Sequence, residues 1–138
     1  MGEIKTVEIS IESSGRHNFG TIGPDKTPVV TLPGDPIAAY ISFELLIRPM
    51  IRTMLGTATI HRPSVKAKLE KALTSSGGYR SYVRAILSED GKSVAPLSSQ
   101  DEQATLSDAN CFIAVPEGET SLSAGAQVNV VVLERRYL

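Results

Sequence analysis

Tryptophan is absent from this chain of 138 residues, and aromatic residues make up only 5% of it. Charge is balanced as well, with Lys+Arg 14 against Asp+Glu 15 and a formal net charge of -1. Stacking platforms and a positive field are what a small barrel uses to grip nucleic acid, and a positive field is what recruits a protein to an anionic membrane. Neither partner is expected. A single cysteine, Cys111, excludes an internal disulfide, and no Cys/His spacing of zinc type accompanies it. The expected setting is a reducing cytoplasm, with Cys111 a small core residue. No stretch approaches the ~20 apolar residues of a membrane span, and residues 1–5 show no apolar run behind a basic start.

One ordinary domain, or two small ones, fits this length. Residues 3–11 roughly alternate apolar and polar (Ile4, Val7, Ile9, Ile11 against Lys5, Glu8, Ser10, Glu12), the period of a half-buried strand. Ser13-Ser14-Gly15-Arg16-His17-Asn18 and Gly23-Pro24-Asp25-Lys26 are turn chemistry, leaving residues 19–22 as a short strand between them. Pro28-Val29-Val30-Thr31-Leu32 reads as a buried strand. Asp35-Pro36 then pairs an N-cap carboxylate with a ring that presets helical φ, so a helix should run from Pro36 to about Leu55 and end at Gly56. Its apolar positions cover much of the circumference, which predicts a largely buried helix. Glu44 and Arg48 stand one turn apart for pairing, and Pro49 should bend the axis.

After Gly56 the pattern changes to short β-type runs at residues 64–73, 79–87, 94–97, 111–115 and 127–133, with Glu89-Asp90-Gly91-Lys92 as a hairpin turn. Residues 66–73 also have helical composition. The fold expected is α+β: a partial α/β segment over residues 1–56, with strands and one long helix, followed over residues 57–138 by a small all-β barrel or sandwich.

The stretch Leu32-Pro33-Gly34-Asp35-Pro36 carries the most chemistry, because a strand feeding a glycine turn into a helix start offers free amides to an anion. Asp35 works against that, since a capping carboxylate competes with the incoming charge. Arg80 and Arg84 share a face of one strand as a possible basic pair, while Arg135 and Arg136 sit apart at the chain end. His17 and His61 have no Cys, Asp or Glu pattern beside them and read as bystanders. The loop Ser98-Ser99-Gln100-Asp101-Glu102-Gln103 is either a carboxylate site for magnesium or solvated surface.

Taken in order, these pieces resemble a known family. Gly20-Thr21-Ile22-Gly23, Pro33-Gly34-Asp35-Pro36-Ile37 and Phe43-Glu44-Leu45-Leu46-Ile47-Arg48-Pro49 are similar to the glycine hairpin, the Pro-Gly-Asn-Pro-Val loop and the Phe-Glu-x-x-x-Arg-Pro helix of the molybdopterin molybdenumtransferases, MoeA and the E domain of gephyrin. Tyr82-Val83-Arg84-Ala85, Ala109-Asn110-Cys111-Phe112 and Val115-Pro116-Glu117-Gly118 resemble that family's C-terminal β domain. The resemblance implies a cytoplasmic, dimeric enzyme that acts with magnesium on adenylylated molybdopterin and molybdate. It implies that Pro33, Gly34 and Pro36 line the pterin-phosphate cleft and that Arg84 faces it, and it identifies no catalytic residue.

Three departures stand out. Asp35 replaces the usual Asn, Gly15 replaces a lysine for which Arg16 can substitute, and the Gly-Ser loop ends here in Asp101-Glu102. The glycine-rich acidic motif and the domains that precede it in the family have no counterpart in this stretch. The expectation is therefore a C-terminal part of a molybdenum-inserting enzyme, inactive alone, or a non-catalytic interaction module that keeps the fold. Exposed strand edges before Gly56 predict self-association.

Overall fold

The structure is a computed structural model and describes residues 2–8, 16–75, 77–97 and 108–133, with the side chains of Thr6, Val7, Glu8 and Arg16 outside the description. The chain divides into two compact units, Met1–His61 and Arg62–Leu138.

The first unit is a three-stranded antiparallel sheet followed by one long helix. Strands β1 (Glu3–Glu8), β2 (Arg16–Ile22) and β3 (Thr27–Val30) lie in the order β1-β2-β3, with Lys5 opposite Phe19 and Phe19 opposite Val30. The 23–26 turn forms as its Gly-Pro-Asp sequence demands, closed by Lys26 N–H donating to Gly23 O at 3.1 Å. Two expectations are corrected. The second strand begins at Arg16, so Arg16, His17 and Asn18 are strand residues and not part of a turn. The third is an edge strand whose burial is partial at best, because no further strand pairs with it among the described residues. Pro28 suits that edge, since it has no amide to donate.

The helix occupies residues 36–54, 19 in all, as α1 (Pro36–Ser42), a π turn (Phe43–Ile47) and α2 (Arg48–Met54). The π turn has an identifiable cause. In an α-helix the amide of residue 49 would bond the carbonyl of Leu45, but Pro49 has no amide and its ring crowds that carbonyl. The chain responds by admitting an extra residue to the turn, and Arg48 N–H donates to Phe43 O, five residues back. At the far end Gly56 (φ 69) takes the left-handed conformation while Thr57 N–H reaches back to Arg52 O at 3.0 Å, which stops the helix. Burial is confined to Ala38, Ile41, Ser42, Glu44 and Pro49, whereas Ile51, Met54 and Leu55 are exposed, so the helix is less buried than its composition predicts.

The second unit is a closed five-stranded barrel of β4 (Ser64–Leu69), β6 (Ser81–Leu87), β7 (Ser93–Pro96), β8 (Cys111–Val115) and β10 (Gln127–Val132), in the order β10-β4-β7-β6-β8. A separate ribbon pairs β5 (Leu73–Thr74) with β9 (Ser121–Leu122). Residues 66–69 are thus strand, and the alternative helical reading is excluded by the alternation of exposed Lys66 and Lys68 with buried Ala67 and Leu69. The same period puts Ala85 and Leu87, Cys111, Ile113 and Val115, and Val128, Val130 and Val132 into one core. The β6–β7 hairpin turns where expected. Asp90 accepts from Ser88 Oγ (2.6 Å) and Lys92 N (3.0 Å), and these bonds hold its carboxyl below the usual carboxylate range.

Asn110 completes the barrel in a way that spacing does not reveal. Its Oδ1 accepts from Leu87 N at 2.8 Å and its Nδ2 donates to Leu87 O at 3.2 Å, so one buried amide replaces the strand residue that would otherwise pair with Leu87.

Cys111 is fully buried, and loss of solvation pushes its thiol from the ordinary 9.0 up to about 12, against a smaller opposing pull from a backbone hydrogen bond at Leu87. A raised folded-state value means that this group's contribution to stability is complete below pH 9 and is lost as pH rises from 9 towards 12. Urea unfolding of wild type and Cys111→Ala across that range should show the extra alkaline loss in the wild type alone. The thiol should also resist alkylation until the barrel unfolds.

Candidate functional site

Strand β3 leads into the 33–36 loop, and the loop is tied down on both sides. On entry, Thr31 N–H donates to Asn18 O at 3.0 Å, and Thr31 Oγ1 accepts from both the backbone and the side-chain amide of Asn18, each at 3.0 Å. On exit, Asp35 adopts an extended conformation (φ -69, ψ 127) and caps the helix: its Oδ2 accepts from Ala38 N at 2.8 Å and its carbonyl from Ala39 N at 2.9 Å.

This capping changes what the loop offers to an anion. Pro36 brings no amide, and the amides of Ala38 and Ala39 are taken by Asp35 itself. Ile37 N–H is then the one first-turn donor left over among the described residues. Gly34 is informative in a different way. Its φ lies outside the left-handed region and a Cβ built on it would meet nothing within 4 Å, so neither conformation nor packing requires glycine there. The missing side chain leaves backbone open to an approaching group. Pro33 is half-buried, and Gly34 and Pro36 are exposed.

Arg16 opens β2 opposite Glu8. Because β3 runs antiparallel to β2, Arg16 lies at the end of the sheet where β3 departs into the 33–36 loop, so these sequence-selected residues share one end of the first unit. A concave surface lined by Gly2, Glu3, Thr21, Gly23, Pro24 and Lys26 occupies the opposite, hairpin end and includes none of them.

Arg84 belongs to the second unit. Ala85 and Leu87 point into the barrel core, so Arg84 stands on the outer wall, directly opposite Phe112 on β8, and is only 7% exposed. Arg80 precedes β6 and is exposed. The two arginines therefore differ in environment and do not act as an equivalent basic pair. The 98–103 loop, the 13–15 turn and the arginines at 135 and 136 lie outside the described residues. Among those described, no group of three or more His, Cys, Asp or Glu side chains converges as a metal site.

His17 was passed over by sequence reasoning. It is wholly buried, and its Nε2 lies 3.0 Å from Ser42 Oγ on the helix. The signal available was its two-residue spacing from Phe19, which puts both on one face once the strand is extended back to Arg16.

With this geometry in view, comparison with known proteins is direct. The family model for the MoeA C-terminal region (domain IV) matches residues 66–133. Molybdopterin molybdenumtransferase 1 of Mycobacterium tuberculosis is 33% identical over 142 residues, covering 96% of this chain and 33% of the relative. Molybdopterin molybdenumtransferase 2 of the same organism is 38% identical over 130 residues, covering 92% and 31%. The crystal structure of a molybdopterin biosynthesis MoeA protein from Pyrococcus horikoshii superposes with a TM-score of 0.79 at 28% identity, covering 96% of this chain and 32% of that one. The chain belongs to the MoeA family of molybdopterin molybdenumtransferases and represents a C-terminal portion of it. It spans about a third of the length of the curated relatives it matches. No helix among the described residues is long and apolar enough to cross a membrane.

Asp35→Ala should destabilise the first unit by about 0.5–2 kcal/mol through loss of the cap, read as a lower denaturant midpoint, while Asp35→Asn should retain most of that stability.

Proposed function

We propose that this chain supplies the C-terminal part of a site that inserts molybdate into adenylylated molybdopterin. In this reading residues 1–56 complete the α/β domain that holds the pterin and residues 57–138 form the domain IV-type β domain. The open backbone at Gly34 is the observation that carries it, because a loop with no local need for glycine keeps room for a phosphate next to the remaining Ile37 amide. Pro33 and Pro36 flank that position, and Arg16, at the same end of the sheet, supplies a cation that offsets phosphate charge. Magnesium, which the resemblance attaches to the reaction, finds no ligand cluster among the described residues, and no step is derived through it. The setting proposed is the cytoplasm, with further family domains completing the active enzyme.

Asp35 favours a second reading, a non-catalytic module that keeps the fold. Its carboxylate holds the Ala38 amide at 2.8 Å and sets a negative charge beside the place proposed for a phosphate. Calorimetry with molybdopterin separates the two readings. The first expects binding that is weakened in Arg16→Ala and strengthened severalfold in Asp35→Asn, where the like charge is removed but the cap is kept. No binding by the 138-residue chain would sink the first reading in favour of the second.

Self-association is proposed for either reading, through the first unit, where Ile4 is 59% and Ile22 51% exposed on a sheet whose edges are unpaired among the described residues. Light scattering at rising concentration should show a mass above that of the single chain, and Ile4→Lys should lower it. A monomer at high concentration would contradict the proposal.

A further inference from the structure

Stability alone is a poor explanation for His17. The side chain is wholly buried, yet among the described residues it makes a single hydrogen bond, between Nε2 and Ser42 Oγ, and its Nδ1 has no partner. A polar ring with one nitrogen unmet in the interior is less favourable than an apolar side chain of similar size. The tautomer with its proton on Nε2 fits best, since it leaves Nδ1 a bare acceptor and not a stranded N–H. Nε2 then donates to Ser42.

Placement gives this bond a role. His17 and Asn18 are consecutive on β2. Asn18 grips Thr31, just before the 33–36 loop, and His17 grips Ser42, two turns into the helix that the loop feeds. Neighbouring residues of one strand therefore hold the chain on both sides of the loop. Asp35 fixes the helix start between them through Ala38. Entry is set by Asn18 and Thr31 and the cap by Asp35, while His17 to Ser42 spans from the sheet to the helix.

We propose that His17 is a positioning residue: through Ser42 it fixes the helix against β2 and so sets the shape in which the 33–36 loop presents Gly34 and Ile37 to a ligand. The bond acts on the protein before any ligand arrives. Only the identity of the ligand rests on the molybdopterin reading given above.

The test compares wild type with His17→Leu, His17→Gln and Ser42→Ala by amide hydrogen exchange of residues 31, 38 and 39, the bonded amides that flank the loop, by melting temperature and by calorimetry with molybdopterin. His17→Leu should hold or raise the melting temperature, yet speed exchange in the loop about fivefold, the factor one net hydrogen bond carries. It should weaken molybdopterin binding by a similar factor. Ser42→Ala should reproduce the exchange effect, and the double variant should add nothing further. His17→Gln, whose amide can restore a bond to Ser42, should recover both loop protection and affinity. Unchanged loop exchange in His17→Leu overturns the proposal. Loss of protection throughout the first unit together with a lower melting temperature also overturns it, since that is the behaviour of an ordinary core residue. If exchange responds as stated but wild type binds no molybdopterin, the positioning role stands and the ligand assignment fails.

Discussion

The β4–β7 pairing is the constraint on which the second unit depends. Four of the five seams of the barrel are antiparallel, while this one is parallel and carries only two paired positions, Lys68 with Ser93 and Leu69 with Val94. Its neighbours extend it: Lys68 N–H donates to Lys92 O at 2.8 Å, Glu70 N–H to Val94 O at 2.9 Å, and Ser93 Oγ to Glu70 Oε1 at 2.8 Å. Without this seam β4 and β7 would both become open edges over an apolar interior, the arrangement that invites pairing between chains. The tight 89–92 turn matters for the same reason, because it delivers β7 to the gap between β4 and β6. An exposed aspartate that organises a turn thereby secures the closure of a core it never touches.

In the first unit the same economy creates a conflict. The residue that starts the helix is also the one that occupies its best anion donors, so local stability and anion affinity are opposed at Asp35. An asparagine would cap the helix without the charge. The chain has the more repulsive of two equivalent caps at the point where its loop otherwise remains open at Gly34.

Much of this architecture was legible in the residues, because several signals had a single physical meaning. Asp35-Pro36 set the helix start and Gly56 its end; a short apolar run in 111–115 and alternation in 127–132 marked strands; and Gly91 with Asp90 marked the hairpin. Order among these motifs also carried the family. What could not be read was pairing. A period of two says which face a residue takes but not which strand lies beside it, so the parallel seam and the amide of Asn110 bonded to Leu87 were invisible. Turn-like composition around Ser14 and Gly15 concealed His17, since tertiary burial overrode local preference there. Residues 33–36 were legible as the turn between strand and helix, with Asp35 set against an anion; which amides that carboxylate and its carbonyl take, those of Ala38 and Ala39, was not.

The π turn before Pro49 also alters the helix as a measuring device. One additional residue in a turn rotates everything beyond it by about 100° relative to an unbroken α-helix. A helical wheel drawn straight through residues 36–54 therefore assigns faces correctly on one side of the π turn and incorrectly on the other, as exposed Ile51 and Met54 illustrate. The proline acts as a gearing element: it lets one strip of sequence show two independently phased surfaces, and removing a single residue in 43–47 would close the turn to an ordinary α turn while leaving the side chains beyond it on the faces they now show.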